Sequence, residues 1–365
     1  RTTDDGDPLR PSRLLFRCDD TTLPQRALRL CKGEPEPSVA PSWQAAWQLC
    51  PPGPADSSAV TEHISVPGFR SYLACPFRYY LKFGLGMDQL DPAKLEMDVR
   101  EFGILCHDAL DRFGRNADVK DSDDPALIRT FLIDRLEAAT RRRYGRHLTV
   151  PIAFQLESAK QRLAWAAEIQ ATQRQAGWRL IETEWKLHSE HQWEIGGLAV
   201  RGTIDRIEQN ENDGRWRVLD YKTASNPKPP RSAHLAKLKA DERSDDFQPW
   251  ALQNDGENTQ RWIDLQVPLY VLALRQLRKV DEVSAGYFNL ARSAVETQIQ
   301  TWDDLDTPTL ESARDCAEGI AQSVRAGVFW PPAAAPQYDD YRSILFDDAQ
   351  TLATPPPALP PTPSK

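Results

Sequence analysis

The chain has 365 residues, a formal net charge of −8 and 40% apolar side chains. These values are typical of a globular protein with a sizeable core and about two domains. No run of about 18 apolar residues occurs, so no membrane span is expected. The six cysteines form no Cys-x-x-Cys pair, which argues against a zinc site and a dense disulfide framework and favours a reducing cytoplasm. The negative charge weakly disfavours nucleic-acid binding but does not exclude a local basic groove.

Both ends of the sequence differ in composition from the middle. Residues 1–62 are Pro-rich and irregular, with short helical patterns near Leu23–Leu30 and Trp43–Leu49, and we interpret them as a flanking segment. The sequence begins at Arg1 rather than Met and shows no secretory leader, so a piece of a larger parent chain is the expectation. Residues 351–365 are again Pro-rich and are predicted to be disordered.

An amphipathic pattern follows His63. Ser65 is placed to cap a helix that begins near Pro67. Arg70 and Arg78 are expected on the flank opposite to the apolar residues, beside aromatic side chains. Such a flank is typical either of a nucleic-acid contact or of an ordinary solvated helix face.

The helix predicted over residues 97–114 carries Gly103 and His107 four positions apart on one face. Because glycine leaves that face bare, another element can approach His107 closely. The histidine is interpreted either as a packed or surface residue or as a ligand.

Two further helices are predicted between residues 124 and 180. The first ends in the densest basic cluster of the chain, which comprises Arg141, Arg142, Arg143 and Arg146. This cluster favours either phosphate contacts or the ordinary stabilisation of a helix C-terminus by positive charge.

The segment 198–225 predicts two strands joined by an Asn-Asp-Gly turn. Strand side chains alternate between faces, so Asp220 and Lys222 share a face. A turn on the Asn-Asp pair places Asp205 opposite Asp220, whereas a turn on the Asp-Gly pair places it opposite Lys222. In either register the three polar side chains lie together.

Two opposed carboxylates on a buried face repel each other, and a divalent cation between them removes that cost. Lys222 could then hold a phosphate oxygen or the attacking water, which is the chemistry of metal-assisted phosphodiester cleavage. The alternative is a surface hairpin with salt bridges. Glu184, on a strand predicted from Leu180 onwards, adds a further carboxylate near this face.

The rest of the chain predicts a polar, mobile surface insertion over residues 226–258 and a helix over residues 259–279. In that helix Gln266 and Tyr270 lie four apart, and Pro268 predicts a kink or an irregular start. A strand over residues 284–291 and a helix over residues 310–326 complete the pattern.

Five short motifs occur in one order along the chain. They are CPFRYYL from Cys75, Gly-x-x-x-His ending at His107, GTIDRIE from Gly202, LDYKT from Leu219 and LQVPLY from Leu265. Together they resemble the RecB-like branch of the PD-(D/E)XK nucleases, and in particular the C-terminal nuclease domains of AddB-type helicase–nuclease subunits. We therefore predict a nuclease domain over residues 63–350.

The resemblance implies an α/β fold of restriction-endonuclease type, in which helices flank a mixed central sheet and residues 115–180 form a helical insertion. It implies that His107, Asp205 and Asp220 bind the metal, Mg²⁺ or Mn²⁺, with the backbone carbonyl of Tyr221. Lys222 would be the catalytic lysine, acting with the two aspartates.

The same resemblance implies that Gln266 and Tyr270 line the site and contact the DNA strand. From the basic patterns above, Arg78, Arg141 and Arg142 are further candidates for substrate binding. No other cofactor is implied.

One feature departs from the family pattern. Some of the resembled proteins close the domain with an iron–sulfur cluster, held by a cysteine like Cys75 and three cysteines near the C-terminus. Residues 327–348 contain no cysteine, and a cubane cluster normally needs four thiolates. We therefore expect no cluster, and we expect this segment to pack on the CPFRYYL helix by apolar burial.

The expected function is a Mg²⁺-dependent DNA nuclease, of exonuclease type in DNA repair or recombination, with a helicase subunit or a larger parent chain as partner. The alternatives are an inactive nuclease-fold scaffold that binds DNA, and a nuclease that acts on RNA. No G-x-x-x-x-G-K-[ST] motif occurs, so ATP-driven unwinding would need another chain or region.

Overall fold

The computed structural model describes residues 16–32, 48–54, 60, 62–89, 95–187, 192–240, 242–254, 259–333, 336, 339–346 and 348–359. The chain divides into two units, residues 1–47 and residues 48–365. This boundary lies earlier than the one predicted after residue 62. In the first unit, helix α1 (Leu23–Lys32) confirms the first helical pattern. Residues 43–47 of the second pattern lie outside the described residues.

The described strands of the second unit are β1 (His63–Ser65), β2 (Trp178–Lys186), β3 (Glu194–Ile195), β4 (Leu198–Arg201), β5 (Thr203–Asn210), β6 (Trp216–Lys222), β7 (Leu235–Lys237), β8 (Leu252–Asn254), β9 (Thr259–Trp262), β10 (Val283–Asn289) and β11 (Gln298–Thr301). Its described α-helices are α2 (Val66–Ala74), α3 (Pro76–Tyr79), α4 (Val99–Arg115), α5 (Pro125–Tyr144), α6 (Val150–Gln175), α7 (Pro230–His234), α8 (Gln266–Arg278), α9 (Thr307–Arg325), α10 (Arg342–Leu345) and α11 (Ala349–Leu352). In the part of the chain that the structure describes, no helix is both long and apolar enough to cross a membrane.

The central sheet has five strands in the order β11-β10-β6-β5-β2. β10 runs parallel to β6, whereas the other neighbouring pairs are antiparallel. Two smaller sheets have the orders β1-β4-β3 and β7-β9-β8. The mixed α/β architecture predicted from the sequence is therefore confirmed.

The two faces of the central sheet are covered by different helices. On one face Tyr221 and Phe288 pack with residues of α4, α5 and α6, so the helices predicted as an insertion form one layer. On the other face Val218 packs with residues of α8 and α9. Because successive strand residues point to opposite faces, Asp220 lies on the α8 side.

The hairpin formed by β5 and β6 has the first of the two predicted registers, in which Arg206 pairs with Leu219. Continued by one residue, this register places Asp205 opposite Asp220. The connection is longer than the two-residue turn assumed from the sequence. The backbone N–H of Asn210 donates to the carbonyl of Arg215 at 2.9 Å, which leaves residues 211–214 as the loop. The longer loop keeps the register because it adds one residue to each side of the turn.

The segment predicted as the first strand of this hairpin is two strands, β4 and β5, in different sheets. The chain passes from β4 to β5 at Gly202, where an added Cβ would lie 2.8 Å from Cγ2 of Val66. Glycine therefore permits the close approach of α2 at the point where the chain changes sheet.

The prediction of a helix from residue 259 was wrong in its beginning. Residues Thr259–Trp262 form β9, and the helix starts at Gln266. Pro268 lies in the first helical turn, where its missing N–H breaks no intrahelical hydrogen bond. The preceding insertion is not wholly irregular, because it contributes α7, β7 and β8.

The C-terminal segment packs on the CPFRYYL motif, as predicted. The buried apolar cluster there comprises Cys75, Phe77, Leu81, Tyr341, Leu345, Ala349 and Ala353. Part of the tail predicted to be disordered is packed as well: Ala353 is buried and bridges to Leu49, and Leu359 packs against the main core. Residues 360–365 lie outside the described residues.

Replacing Cys75 by alanine is expected to cost only about 1–2 kcal/mol of unfolding free energy, because the thiol acts as a small buried group with weak hydrogen bonds. Its Sγ accepts from the N–H of Ala333 at 3.3 Å and lies 3.5 Å from Nη1 of Arg78. Urea denaturation measures the loss, and elemental analysis of wild-type protein should find no iron. A brown preparation, with about four irons per chain, would overturn the expectation that no cluster is present.

Candidate active site

The predicted metal ligands and catalytic residues converge where β5 begins and β6 ends. The residues that the structure brings together are His107, Asp205, Asp220, Tyr221, Lys222, Gln266 and Tyr270. They come from α4, the β5–β6 hairpin and α8. The site is therefore built from three elements that the central sheet holds in place.

His107 reaches the end of β6 from α4. Its Nε2 lies 3.2 Å from the carbonyl oxygen of Tyr221, and its Nδ1 lies 3.6 Å from Oδ2 of Asp205. A Cβ added to Gly103 would lie 3.5 Å from Oγ1 of Thr223, so the bare helix face does admit the strand end. Burial is the largest effect on the pKa of His107 and lowers it. The imidazole is therefore neutral, which is the form that binds a metal.

Asp205 is buried beside the strand that carries Asp220. Its Oδ2 accepts a hydrogen bond of 2.8 Å from the backbone N–H of Tyr221. Burial raises the pKa of Asp205 well above its usual range, and the charge of Asp220 raises it further. The charge of Asp220 thus opposes the ionisation of Asp205, and a nearby cation would favour the charged form of Asp205.

Glu184, expected from the sequence as a further carboxylate near this face, forms a cluster with His107 and Asp205. One ligand atom from each of the three residues lies within 4.8 Å of the others. Glu184 has a φ of 48°, which is unusual for a residue other than glycine, and it follows a register shift in β2. Burial raises its pKa. A regular alternation pattern cannot place a residue in such an irregular strand.

Lys222 belongs to a chain of hydrogen bonds on the α8 side. Its Nζ lies 2.7 Å from Oδ2 of Asp220 and donates to Oε1 of Gln266 at 2.9 Å. Nε2 of Gln266 donates to Oδ1 of Asp220 at 2.7 Å and to the hydroxyl of Tyr270 at 3.2 Å. That hydroxyl donates to the carbonyl of Thr203 at 2.7 Å. This series of hydrogen bonds holds the side chains of both Lys222 and Asp220 in place.

The ammonium group of Lys222 is charged and partly open to solvent. Burial alone would lower the pKa of Lys222, but Asp220, with Asp264 further away, outweighs it and raises the pKa. Nζ lies 4.9 Å from the ring centroid of Tyr287, a favourable cation–π position. The side chain is 33% exposed, so part of it is open to solvent.

The start of α8, which carries Gln266, is held from two sides. Oδ1 of Asp264 accepts from the N–H of Gln266 at 2.9 Å. Nε2 of the fully buried His234 accepts from the N–H of Val267 at 3.2 Å, while its Nδ1 donates to the carbonyl of Pro230 at 2.7 Å. Burial lowers the pKa of His234, which keeps the imidazole neutral and able to accept. The segment before α8 therefore sets the position of Gln266.

A buried charge network supports the strand from the opposite face. The carboxylate of Glu208 is fully buried and accepts from Arg206 and Arg217. Arg206 also donates to the hydroxyl of Tyr221 at 3.4 Å and to Oε1 of Gln170 at 2.5 Å. The network thus links α6 to the residue whose carbonyl faces the predicted metal position.

The donors present fit a divalent metal such as Mg²⁺ or Mn²⁺. Carboxylate oxygens and a neutral imidazole are suitable ligands, and the crowded ligand atoms of His107, Glu184 and Asp205 lie within reach of one ion. Asp220, which was predicted as a ligand, contacts Lys222 and Gln266, and its role as a ligand stays a prediction.

Of the predicted basic contacts, Arg78 does not reach the site. Its guanidinium is buried, pairs with the carboxylate of Asp339 and donates to the carbonyl of Ala333 at 3.0 Å. Arg78 therefore stabilises the packing of the C-terminal segment, and the prediction that it contacts substrate is wrong. Arg141 and Arg142 are exposed on α5.

Arg142 contacts the helix that carries His107. Its Nη2 lies 3.5 Å from Oδ2 of Asp108, the residue that follows His107. Arg141 pairs with Glu137 on its own helix. Their contact with a substrate stays a prediction.

A hairpin that presents two carboxylates and a lysine beside a set of metal-type donors has the residues needed for metal-assisted phosphodiester cleavage. The family comparison agrees: the PD-(D/E)XK nuclease superfamily model matches residues 63–344. The chain belongs to this superfamily, which confirms the resemblance deduced from the five motifs.

A curated protein of Lachnoclostridium phytofermentans, a subunit of an ATP-dependent helicase/deoxyribonuclease, is 28% identical over 173 residues. The match covers 44% of this chain and 14% of that protein, so the chain spans a small part of the relative. The crystal structure of a candidate exonuclease from Eubacterium rectale covers 80% of this chain and 91% of its own, with a TM-score of 0.42 and 11% identity.

Proposed function

We propose that the protein is a metal-dependent nuclease that hydrolyses phosphodiester bonds in DNA, with Mg²⁺ or Mn²⁺ as the metal. The observation that carries this proposal is the charged, solvent-accessible Lys222 beside Asp220, next to the cluster of His107, Glu184 and Asp205. Membership of the nuclease superfamily supports the same chemistry.

His107, Asp205, the carbonyl of Tyr221 and Asp220 would hold the metal, with Glu184 as an additional donor. When bound, the metal would neutralise the scissile phosphate and lower the pKa of its water. For Asp220 to serve as a ligand, one carboxylate oxygen must face the metal while Gln266 holds the other.

Lys222 would position the attacking water or a phosphate oxygen and stabilise the charge that develops in the transition state. No protein nucleophile is required, because water supplies the attacking oxygen. Gln266 and Tyr270 orient Lys222 and would line the path of the DNA strand. The hydrogen-bond chain through Thr203 supports this role, since it leaves the lysine little freedom to turn away.

Two alternative functions differ in whether they require these residues. An inactive DNA-binding scaffold would not require Asp205, Asp220 and Lys222 together, and their contacts favour the enzyme over it. A nuclease that acts on RNA would use the same residues, because the reacting phosphate is the same in both nucleic acids.

We also propose an exonuclease-type activity in DNA repair or recombination, in the cytoplasm, alongside a helicase subunit or a larger parent chain. The name of the Lachnoclostridium relative, which describes a helicase/deoxyribonuclease, supports the partner. Co-purification of the native complex from its source would identify it.

The proposal is tested by incubating the purified chain with end-labelled DNA and RNA of one sequence, in Mg²⁺, in Mn²⁺ and in EDTA. Metal-dependent cleavage of DNA is the expected result, with Asp220→Asn as the inactive control. Cleavage of RNA alone would favour the second alternative. Absence of cleavage, with DNA binding retained, would favour the scaffold.

A further inference from the structure

Arg70 is a basic residue of the amphipathic segment that follows His63, outside the five motifs. It lies on α2, which Ser65 caps by accepting from the N–H of Gly68 at 3.2 Å. The helix is anchored by the fully buried Phe69 and by Tyr72, whose hydroxyl donates to the carbonyl of Val328 at 2.6 Å. Arg70 is therefore presented from a fixed support, and 52% of its side chain is exposed.

A short series of contacts joins Arg70 to the catalytic lysine. Its Nη1 lies 3.7 Å from Oδ2 of Asp264, an ion pair too long for a hydrogen bond. The other oxygen of Asp264 accepts from the N–H of Gln266 at 2.9 Å, and the side chain of Gln266 accepts from Lys222. Two residues, Asp264 and Gln266, thus lie between the guanidinium of Arg70 and the ammonium of Lys222 in this series of contacts.

The electrostatic surroundings of Tyr287 agree with this placement of Arg70. The ammonium of Lys222 lies 4.9 Å from the Tyr287 ring. Burial raises the pKa of Tyr287, and the charges of Asp264 and Asp220 raise it further, whereas the charge of Arg70 lowers it. Both cations therefore act on the same aromatic side chain.

The acidic side chains of the site are more deeply buried than its basic side chains. The side chains of Asp205 and Asp220 are only 11% and 5% exposed, whereas those of Lys222 and Arg70 are 33% and 52% exposed. A nucleic-acid strand carries one negative charge per nucleotide, so a strand whose reacting phosphate reaches the deep acids must place neighbouring phosphates at the rim.

We propose that Arg70 binds a backbone phosphate next to the scissile one, exchanging its loose pair with Asp264 for a bidentate contact with phosphate oxygens. A planar guanidinium suits this exchange, because it presents paired donors to a tetrahedral oxyanion. This role rests on the proposed nuclease function. Arg70 thereby takes the phosphate-binding role that was first expected of Arg78, whose guanidinium pairs with Asp339.

The test compares Arg70→Gln with wild type in Mg²⁺-dependent cleavage of end-labelled single-stranded DNA. KM should rise about ten-fold while kcat stays within about two-fold, and the dependence of log KM on log salt should lose about one unit of slope. Arg70→Lys should recover part of the KM, because it keeps the charge without the bidentate geometry.

A further variant separates substrate binding from effects on the fold. Arg215→Gln is the matched control, since Arg215 is a similarly exposed arginine paired with Asp213 at the far end of the hairpin. This control variant should leave KM unchanged.

Fluorescence anisotropy with the same DNA in EDTA gives a readout that does not need cleavage. A weaker affinity for Arg70→Gln than for Arg215→Gln supports the proposal. Unchanged affinity and KM, or a fall in kcat at constant KM, would overturn it. If wild type cleaves no nucleic acid, the proposed function fails, whereas the anisotropy result still decides the role of Arg70.

Discussion

Replacing Lys222 by methionine is expected to slow DNA cleavage by roughly a hundred- to a thousand-fold, the size typical of losing one preorganised charge-stabilising donor. Methionine keeps an unbranched apolar side chain and removes the ammonium that contacts Asp220 and Gln266. Binding of Mn²⁺ should persist, because the His107 cluster keeps all its ligand atoms. Single-turnover cleavage and titration calorimetry on the same preparation measure the two effects.

Lys160→Met is the matched control for this prediction. Lys160 is also ion-paired, with Glu137 and Glu157, but it lies on the helical layer. The Lys160→Met variant should cleave DNA at the wild-type rate. With Mn²⁺ present, Lys222→Met should melt close to wild type, since the metal offsets the charge of Asp220. Normal cleavage by Lys222→Met, or a loss explained by unfolding, would contradict a chemical role.

Replacing Glu208 by alanine is expected to lower the unfolding free energy by about 3–5 kcal/mol, because it leaves two buried guanidinium groups without their carboxylate. Arg206 and Arg217 both donate to this fully buried side chain. Urea denaturation measures the loss as a lower midpoint with an unchanged slope. Asp213→Ala, which removes an exposed ion pair with Arg215, should change stability by less than about 1 kcal/mol.

The pH dependence of the Glu208 effect has a definite sign. Burial alone would raise the pKa of Glu208, but Arg206 and Arg217 outweigh it and lower the pKa below its usual value of 4.5. A carboxylate with a lowered folded pKa stabilises the fold above its unfolded pKa and loses that contribution as pH falls through the folded value. The difference between wild type and Glu208→Ala should therefore be full at neutral pH and shrink below about pH 4.5. An equal stability difference at neutral pH and below about pH 4.5 would show that lost packing, not charge, causes the destabilisation.

The parts of the site that depend on local periodicity could be predicted from the sequence. Asp220 and Lys222 alternate on one strand, and the turn residues limited Asp205 to two partners, of which the structure has Asp220. Gly103 likewise indicated a bare helix face, and that face contacts the end of β6 through Thr223. In each case the spacing within one element fixes which side chains share a face.

The parts that depend on tertiary packing could not be predicted in this way. Glu184 lies in an irregular stretch of β2, where alternation fails. Arg78 looks like a surface residue on a helical wheel, but Asp339, more than 250 residues later, buries it. Trp262 fits the apolar stripe of a helix as well as a buried position in a strand. In the structure it lies in β9, where its ring packs near that of Trp302.

The central claim is that this site holds a divalent metal for phosphodiester cleavage, and anomalous diffraction from a crystal soaked in Mn²⁺ tests it most directly. The account predicts one or two anomalous peaks bounded by His107, Asp205, Asp220 and the carbonyl of Tyr221, with Glu184 adjacent, and no peak there in crystals of Asp205→Asn. Mn²⁺ bound only at exposed carboxylates elsewhere, or equally strong peaks in wild type and Asp205→Asn, would contradict it.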